Sequence, residues 1–257
     1  MKPFHRLFLY CSLFFPLAAC ASDSFPGKDD VVEAGISHDV LSKGYADWNS
    51  GFLDASHRFG ERHAVYGELR ETQRFNLKDR ELSAGYYHPL SETWTVLVGA
   101  SASPDHQVLP KNSIFAQLQK AFDGGWDVQG EWHRSEYTAA STDLMALAAE
   151  RYWGNFRAAY KLYLGKLQGA GAAPSHTGQL SYYYGERNFA TLGFSEGRQV
   201  ESLGAGLGVL TTKVISTSLS GHHWLVPDWG LSYEAIVEHQ GNLYLREGIR
   251  VGILHSF

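Results

Sequence analysis

The sequence predicts an all-β fold, a single-chain antiparallel transmembrane β-barrel of about fourteen strands. Segments of about ten residues alternate apolar and polar side chains, the period of a wall with lipid on one face and water on the other. Glycine, proline and asparagine punctuate these segments, and beyond the amino-terminal leader no apolar run reaches the roughly 18 residues of a spanning helix. The final segment shows the pattern most plainly. Leu243, Leu245, Ile249, Val251, Ile253 and Phe257 share one parity, and Tyr244, Arg246, Arg250 and Ser256 share the other. A mean hydropathy of −0.25 suits a wall in which only alternate residues meet lipid.

The first element is a leader. Lys2 and Arg6 precede an apolar stretch over residues 7–17 and then small residues, which reads as a secretory signal over residues 1–21 ahead of a barrel domain over 22–257. Ala19-Cys20-Ala21 fits the small-x-small rule of signal peptidase, while Leu17-Ala18-Ala19-Cys20 looks like a lipobox. Cys20 is therefore either part of a discarded leader or the acylated first residue of the mature chain. The only cysteines are Cys11 and Cys20, so the mature chain has neither a disulfide pair nor a thiolate metal site.

The strands follow in order at residues 31–40, 51–59, 63–75, 77–88, 94–103, 113–122 and 126–137, then 142–153, 155–165, 177–185, 188–197, 211–222, 230–239 and 243–257. An even count brings both ends of the wall to one rim, with twelve and sixteen as alternatives. Short connections at 60–62, 89–91, 123–125, 154–155, 185–187 and 227–228 suit periplasmic hairpins. Longer or more polar ones at 41–49, 104–112, 166–176 and 198–210 suit external loops, although 201–210 also reads as strand extension. Trp94, Trp126, Trp153 and Trp229 adjoin short turns, as an interfacial aromatic belt would. A water-soluble β-sandwich is the competing reading, and it leaves the leader, the strand length and the terminal phenylalanine as coincidences.

The face opposite the lipid is polar and mixed in sign. Candidate lumen residues are Glu68, Arg70, Arg74, Glu81, Glu131, His133, Glu150, Arg157, Lys161, Glu234, Glu238, Arg246 and Arg250, with Gln117, Gln119 and Gln129 among them. Two readings fit this set. Acids and bases on neighbouring strands can pair as a structural ladder, or they can line a conduit whose charges set selectivity.

Catalytic chemistry has little support. There is no Gly-x-Ser-x-Gly and no His-Glu-x-x-His, and His222-His223 would put two rings on opposite faces, poor geometry for a shared metal. No cofactor or metal is expected, and a net charge of −5 argues against a nucleic-acid partner.

The carboxy terminus, Arg250-x-Gly252-x-x-His255-x-Phe257, resembles the signal by which outer-membrane barrels are recognised by the barrel-assembly machinery, with His255 where an apolar residue is usual. The implied location is the bacterial outer membrane, embedded in its lipid with the carboxy terminus in the periplasm. Further residues resemble one family. Glu68-x-Arg70-x-x-x-Arg74-Phe75, Asp79-x-Glu81-x-x-x-Gly85-x-Tyr87, the Trp94 hairpin, Gly124-Gly125-Trp126, Glu150-Arg151-Tyr152-x-Gly154-x-Phe156-Arg157 and Tyr244-x-Arg246-x-Gly248 look like the YaiO family of outer-membrane barrels. The resemblance implies an outer-membrane barrel without assigned enzymatic activity. Related barrels are fused to tetratricopeptide-type repeats in envelope polysaccharide systems, whereas no helical repeat precedes Val31 here, so a role in export would need a separate periplasmic partner. The expected function is a pore or a component of an envelope transport assembly. A filled barrel acting through its external loops is the second reading, and an outer-membrane enzyme the third.

Overall fold

The computed structural model describes residues 30–60, 62–138, 140–167, 172–202 and 209–257. The expected leader, Cys20 and residues 203–208 lie outside them.

Fourteen strands form the wall: β1 (Asp30–Leu41), β2 (Trp48–Gly60), β3 (His63–Arg74), β4 (Leu77–Pro89), β5 (Trp94–Ala102), β6 (Asn112–Phe122), β7 (Trp126–Glu136), β8 (Ser141–Trp153), β9 (Phe156–Leu167), β10 (Ala172–Tyr184), β11 (Asn188–Ser202), β12 (Val209–Trp224), β13 (Trp229–Gln240) and β14 (Tyr244–Ser256). Each pairs antiparallel with its sequence neighbours, and β14 returns to β1 with Gly252 opposite Gly35 and Arg250 opposite Ser37. The barrel is closed, so no edge is left to pair with another chain. Fourteen strands about 4.8 Å apart and tilted by about 40° enclose a backbone diameter of roughly 28 Å.

One rim carries both described ends of the wall, Asp30 and Phe257, and is called here the terminal rim. Its connections are short, as the sequence suggests. The opposite rim is less loop-rich than expected. Two segments read as loops, 166–176 and 198–210, are largely strand: β9 runs to Leu167, β10 starts at Ala172, β11 runs to Ser202 and β12 starts at Val209. The misreading came from taking glycine as punctuation. Gly197 pairs with Ser175 and Val214 inside the sheet, and a Cβ added to it would lie 2.1 Å from the Ser175 Cβ. This glycine marks close packing between strands and not a turn.

The same rim also holds a two-residue hairpin, Phe75-Asn76, with φ of 51° and 64°. Both values suit a type I′ turn, which matches the twist of the flanking strands. A bulky residue rarely adopts positive φ. Here the Phe75 ring repays the strain by packing edge-on against Trp48 at 5.4 Å and Tyr45 at 6.2 Å. Leu41, Trp48 and Tyr244 form the buried centre of this apolar cluster at the opposite rim, and Trp48 falls inside β2 although the sequence suggests a loop there.

The outer face is apolar along its length. Ile36, Leu69, Leu82, Leu147, Leu192, Leu219 and Ile249 are all exposed, on the parity that points away from the axis. At the terminal rim, Trp126, Trp153, Phe156, Trp229 and Phe257 form an exposed aromatic girdle. His255 joins it. Its ring lies 4.3 Å from Trp229 and 5.5 Å from Phe257, and its Nδ1 is 3.1 Å from the Asp228 carbonyl. A histidine is tolerated at this lipid-facing position because its body is aromatic and its polar nitrogen meets a carbonyl at the interface.

Candidate functional site

The inner face is where polar chemistry collects. All thirteen charged or histidine residues read as lumenal fall on the inward parity of their strands, opposite the exposed apolar set. Eight of them gather in three groups. On β14, the Arg250 guanidinium lies 3.4 Å from Glu33 and 3.3 Å from Asp54, and sits 3.8 Å above the Phe52 ring. Ser232 donates to the same Glu33 at 2.5 Å.

Nearer the opposite rim, Arg246 donates to Asp39 at 2.7 Å and lies 3.8 Å from Glu238. Arg246 and Arg74 both stack on the Trp48 indole, at 5.1 and 4.8 Å. The third group spans β7 to β9. Glu150 accepts two bonds from Arg157, at 2.7 and 2.6 Å, and one from the Gln129 amide at 3.1 Å. Both side chains of that pair are about fully buried, which is tolerable because the fork geometry satisfies the charge. Lys161 reaches Glu131 at 2.5 Å, from β9 past β8 to β7. Arg70 pairs with Glu68 on its own strand.

Glu81 and Glu234 differ from the rest. They stand opposite Arg70 and Arg250 in the strand register, yet neither has a bonded base among the described residues. His133 is buried and lies 3.2 Å from the Ser135 hydroxyl. Ser135 is wholly buried and also bonded to Ser113, so no substrate carbonyl can reach its oxygen. His222 faces inward onto Phe189 at 4.9 Å, whereas His223 faces outward to the Tyr184 hydroxyl at 2.7 Å. Among the described residues no group of three or more His, Cys, Asp or Glu converges as a metal site would.

Inward aromatic rings lie along the wall instead of across the axis. Gly35, Gly85 and Gly99 stand directly opposite Phe52, Tyr66 and Phe115 in the register. A Cβ on those glycines would come within 2.2, 2.4 and 2.3 Å of the facing ring. Each glycine therefore opens a shallow bed in which its cross-strand partner reclines, the aromatic–glycine pairing of sheets.

One connection at the opposite rim folds inward. Residues 103–111 join β5 to β6, and the carboxylate of Asp79 on β4 accepts the backbone N–H groups of Gln107, Val108 and Leu109 at 2.9, 2.7 and 2.8 Å. Asp79 is wholly buried on the lumenal side, three residues into its strand, so the segment dips just inside the opposite rim.

Sequence reasoning missed Glu33, Asp39, Asp54 and Asp79 as lumenal. The inward parity of β1 and β2 also contains Val31, Leu41, Trp48 and Phe52, which blurs the alternation that would have exposed the acids. The glycine at 35 opposite Phe52 was the available signal, because a lumenal ring needs a bed.

Known proteins can now be set beside this geometry. A family model described as the YaiO membrane beta barrel domain matches residues 29–202. No curated protein matches the sequence. Among solved structures, a bacterial polysaccharide outer membrane secretin superposes with a TM-score of 0.55 at 9% identity, over 90% of this chain and 99% of that one. An anion-selective porin from Comamonas acidovorans gives 0.50 at 10% identity, over 89% and 98%. Salmonella typhi OmpF in complex with daunomycin gives 0.50 at 10%, over 89% and 97%. At such identities the likeness is one of fold, while the family match spans more than half of the residues: the chain belongs to the YaiO membrane β-barrel domain family and is an outer-membrane β-barrel with porin-like structural neighbours.

Proposed function

We propose that this barrel is a conduit of the outer membrane, acting as a pore or as the membrane part of an envelope export assembly. The observation that carries the reading is the disposition of the inner side chains. Phe52, Tyr66 and Phe115 recline on glycine beds. The inner-wall ion pairs of Arg70, Arg157, Lys161, Arg246 and Arg250 each join one strand, two adjacent strands, or two strands separated by a third, as in Arg250 to Asp54. Groups held to the wall in this way leave the axis of a roughly 28 Å barrel to water, whereas barrels of about eight strands are filled by their side chains.

In this reading Phe257 and the terminal rim face the periplasm, where the barrel-assembly machinery and a separate export partner would meet the chain. Polysaccharide is the cargo class that the resemblance to envelope systems favours. The inward fold of residues 103–111 favours a conduit over a loop-mediated binding role, because the longest described connection is directed at the mouth and not at an external partner. No chemical step is assigned to His133, Ser135 or Glu131.

Reconstitution of the folded protein into planar bilayers tests the reading. Discrete conductance steps are expected, and membranes that stay silent with correctly folded protein would refute an open pore.

A further inference from the structure

Resting on the conduit reading, we propose that the lumen selects cations, with Glu81 and Glu234 as its principal selectivity residues. The argument is one of pairing. Near the midpoints of their strands the inner wall carries three bases, Arg70, Lys161 and Arg250, and each is bound to a carboxylate: Glu68, Glu131, and Glu33 with Asp54. Lys161 is nearly buried, and Arg250 lies flat on Phe52, so the bases are drawn onto the wall. Glu81 and Glu234 occupy the same middle stretch with no bonded base among the described residues.

Arg250 is moreover shared between two carboxylates, which leaves that group anionic. Glu81 and Glu234 add their charge to it in the middle of the lumen. A second observation points the same way. Glu238, fully buried on the inner wall beside Arg246 and Asp39, has an Oε2 with no hydrogen-bond partner. Two carboxylates again flank one guanidinium, so this group holds no surplus positive charge. The arginines at the terminal rim, Arg62 and Arg187, donate to the Ser91 and Pro227 carbonyls at 2.8 and 2.9 Å and sit at the mouth, away from the middle.

Two or three surplus carboxylates about 7 Å from a water-filled axis, screened over about 8–10 Å, favour potassium over chloride by roughly tenfold. The solutes served by such a lumen are cationic or neutral ones, with polyanions excluded.

The experiment is the reversal potential of the full chain in planar bilayers under a potassium chloride gradient, compared with the E81Q/E234Q variant. The potassium preference should fall from about tenfold to about threefold in the variant. A chloride preference, or a preference unchanged in the variant, overturns the selectivity proposal and leaves the conduit intact. Silent membranes overturn the conduit instead. The anionic lumen is then judged by calorimetric titration of spermine into the detergent-solubilised protein: binding weakened in E81Q/E234Q upholds it, and no binding, or equal binding by both proteins, overturns it.

Discussion

Replacing Asp79 with alanine should release the segment that dips into the opposite mouth. Its carboxylate accepts three consecutive backbone N–H groups, those of Gln107, Val108 and Leu109, at 2.7 to 2.9 Å and away from solvent. Bonds to a charged acceptor contribute about 1.5–3 kcal/mol each, although a released loop regains water as a partner, so the net loss of docking is about 3–5 kcal/mol. Every 1.4 kcal/mol is about tenfold in an equilibrium, and amide exchange at residues 107–109 should accelerate by at least about 100-fold. Asp79→Asn keeps one carbonyl oxygen and should show an intermediate effect. Hydrogen exchange read by mass spectrometry on folded protein is the assay, with single-channel conductance as a companion that should rise. Unchanged protection of 107–109 in an otherwise intact Asp79→Ala barrel would show that Val108 and Leu109 hold the segment by their own packing, and the reasoning would fail.

Other expectations are equally direct. In Gly85→Ala the new Cβ would meet the Tyr66 ring first, at 2.4–2.5 Å, so the ring must leave its bed. The cost should be about 1–3 kcal/mol in thermal or denaturant unfolding and should vanish in the Tyr66→Ala background, where the bed is empty. Arg157→Met leaves Glu150 charged and buried and should destabilise by about 3–5 kcal/mol, while adding Glu150→Gln should recover most of that loss. Equal destabilisation of the single and double variants would contradict this account. Trp48→Ala empties the apolar cluster at the opposite rim and removes the surface on which Arg74, Arg246 and Phe75 rest. A loss of about 3–5 kcal/mol is expected, and a loss under about 1 kcal/mol would mean that the cluster is not cooperative.

Alternation made the wall legible and concealed part of its lining, for the same physical reason. A strand between lipid and water declares its faces when one is mainly apolar and the other carries the basic side chains, as over the middle of β14 and β9. Arg157 and Lys161 could therefore be placed inward from sequence. On β1 and β2 the inner face carries Leu41, Trp48 and Phe52 as well as Asp39 and Asp54, and parity alone cannot tell a lumenal aromatic from a lipid-facing one. Turn chemistry failed at Gly197 because glycine serves both turns and close packing, and only the facing Ser175 distinguishes them. The reversal at Phe75-Asn76 falls where the sequence ends one strand at 75 and begins the next at 77, but its turn type is not legible there because its positive φ values fall on residues other than glycine.

The structural ladder and the conduit, which the sequence sets against each other, are compatible once the reach of each pair is known. A ladder that fills a barrel needs side chains that meet across the axis, and their bonds would join strands on opposite sides. The pairs here run along the circumference. Arg157 to Glu150 joins adjacent strands, and Lys161 to Glu131 and Arg250 to Asp54 each span one intervening strand. Such rungs stiffen the wall and pin long side chains flat against it, just as the glycine beds do for Phe52, Tyr66 and Phe115. Pairing is thus a means of keeping the axis clear, and what remains unpaired gives the lumen its sign. On that logic Arg70→Gln, which frees Glu68 beside Glu81, should raise the potassium preference further. A fall in that preference would show that the paired charges, and not the surplus, set the field.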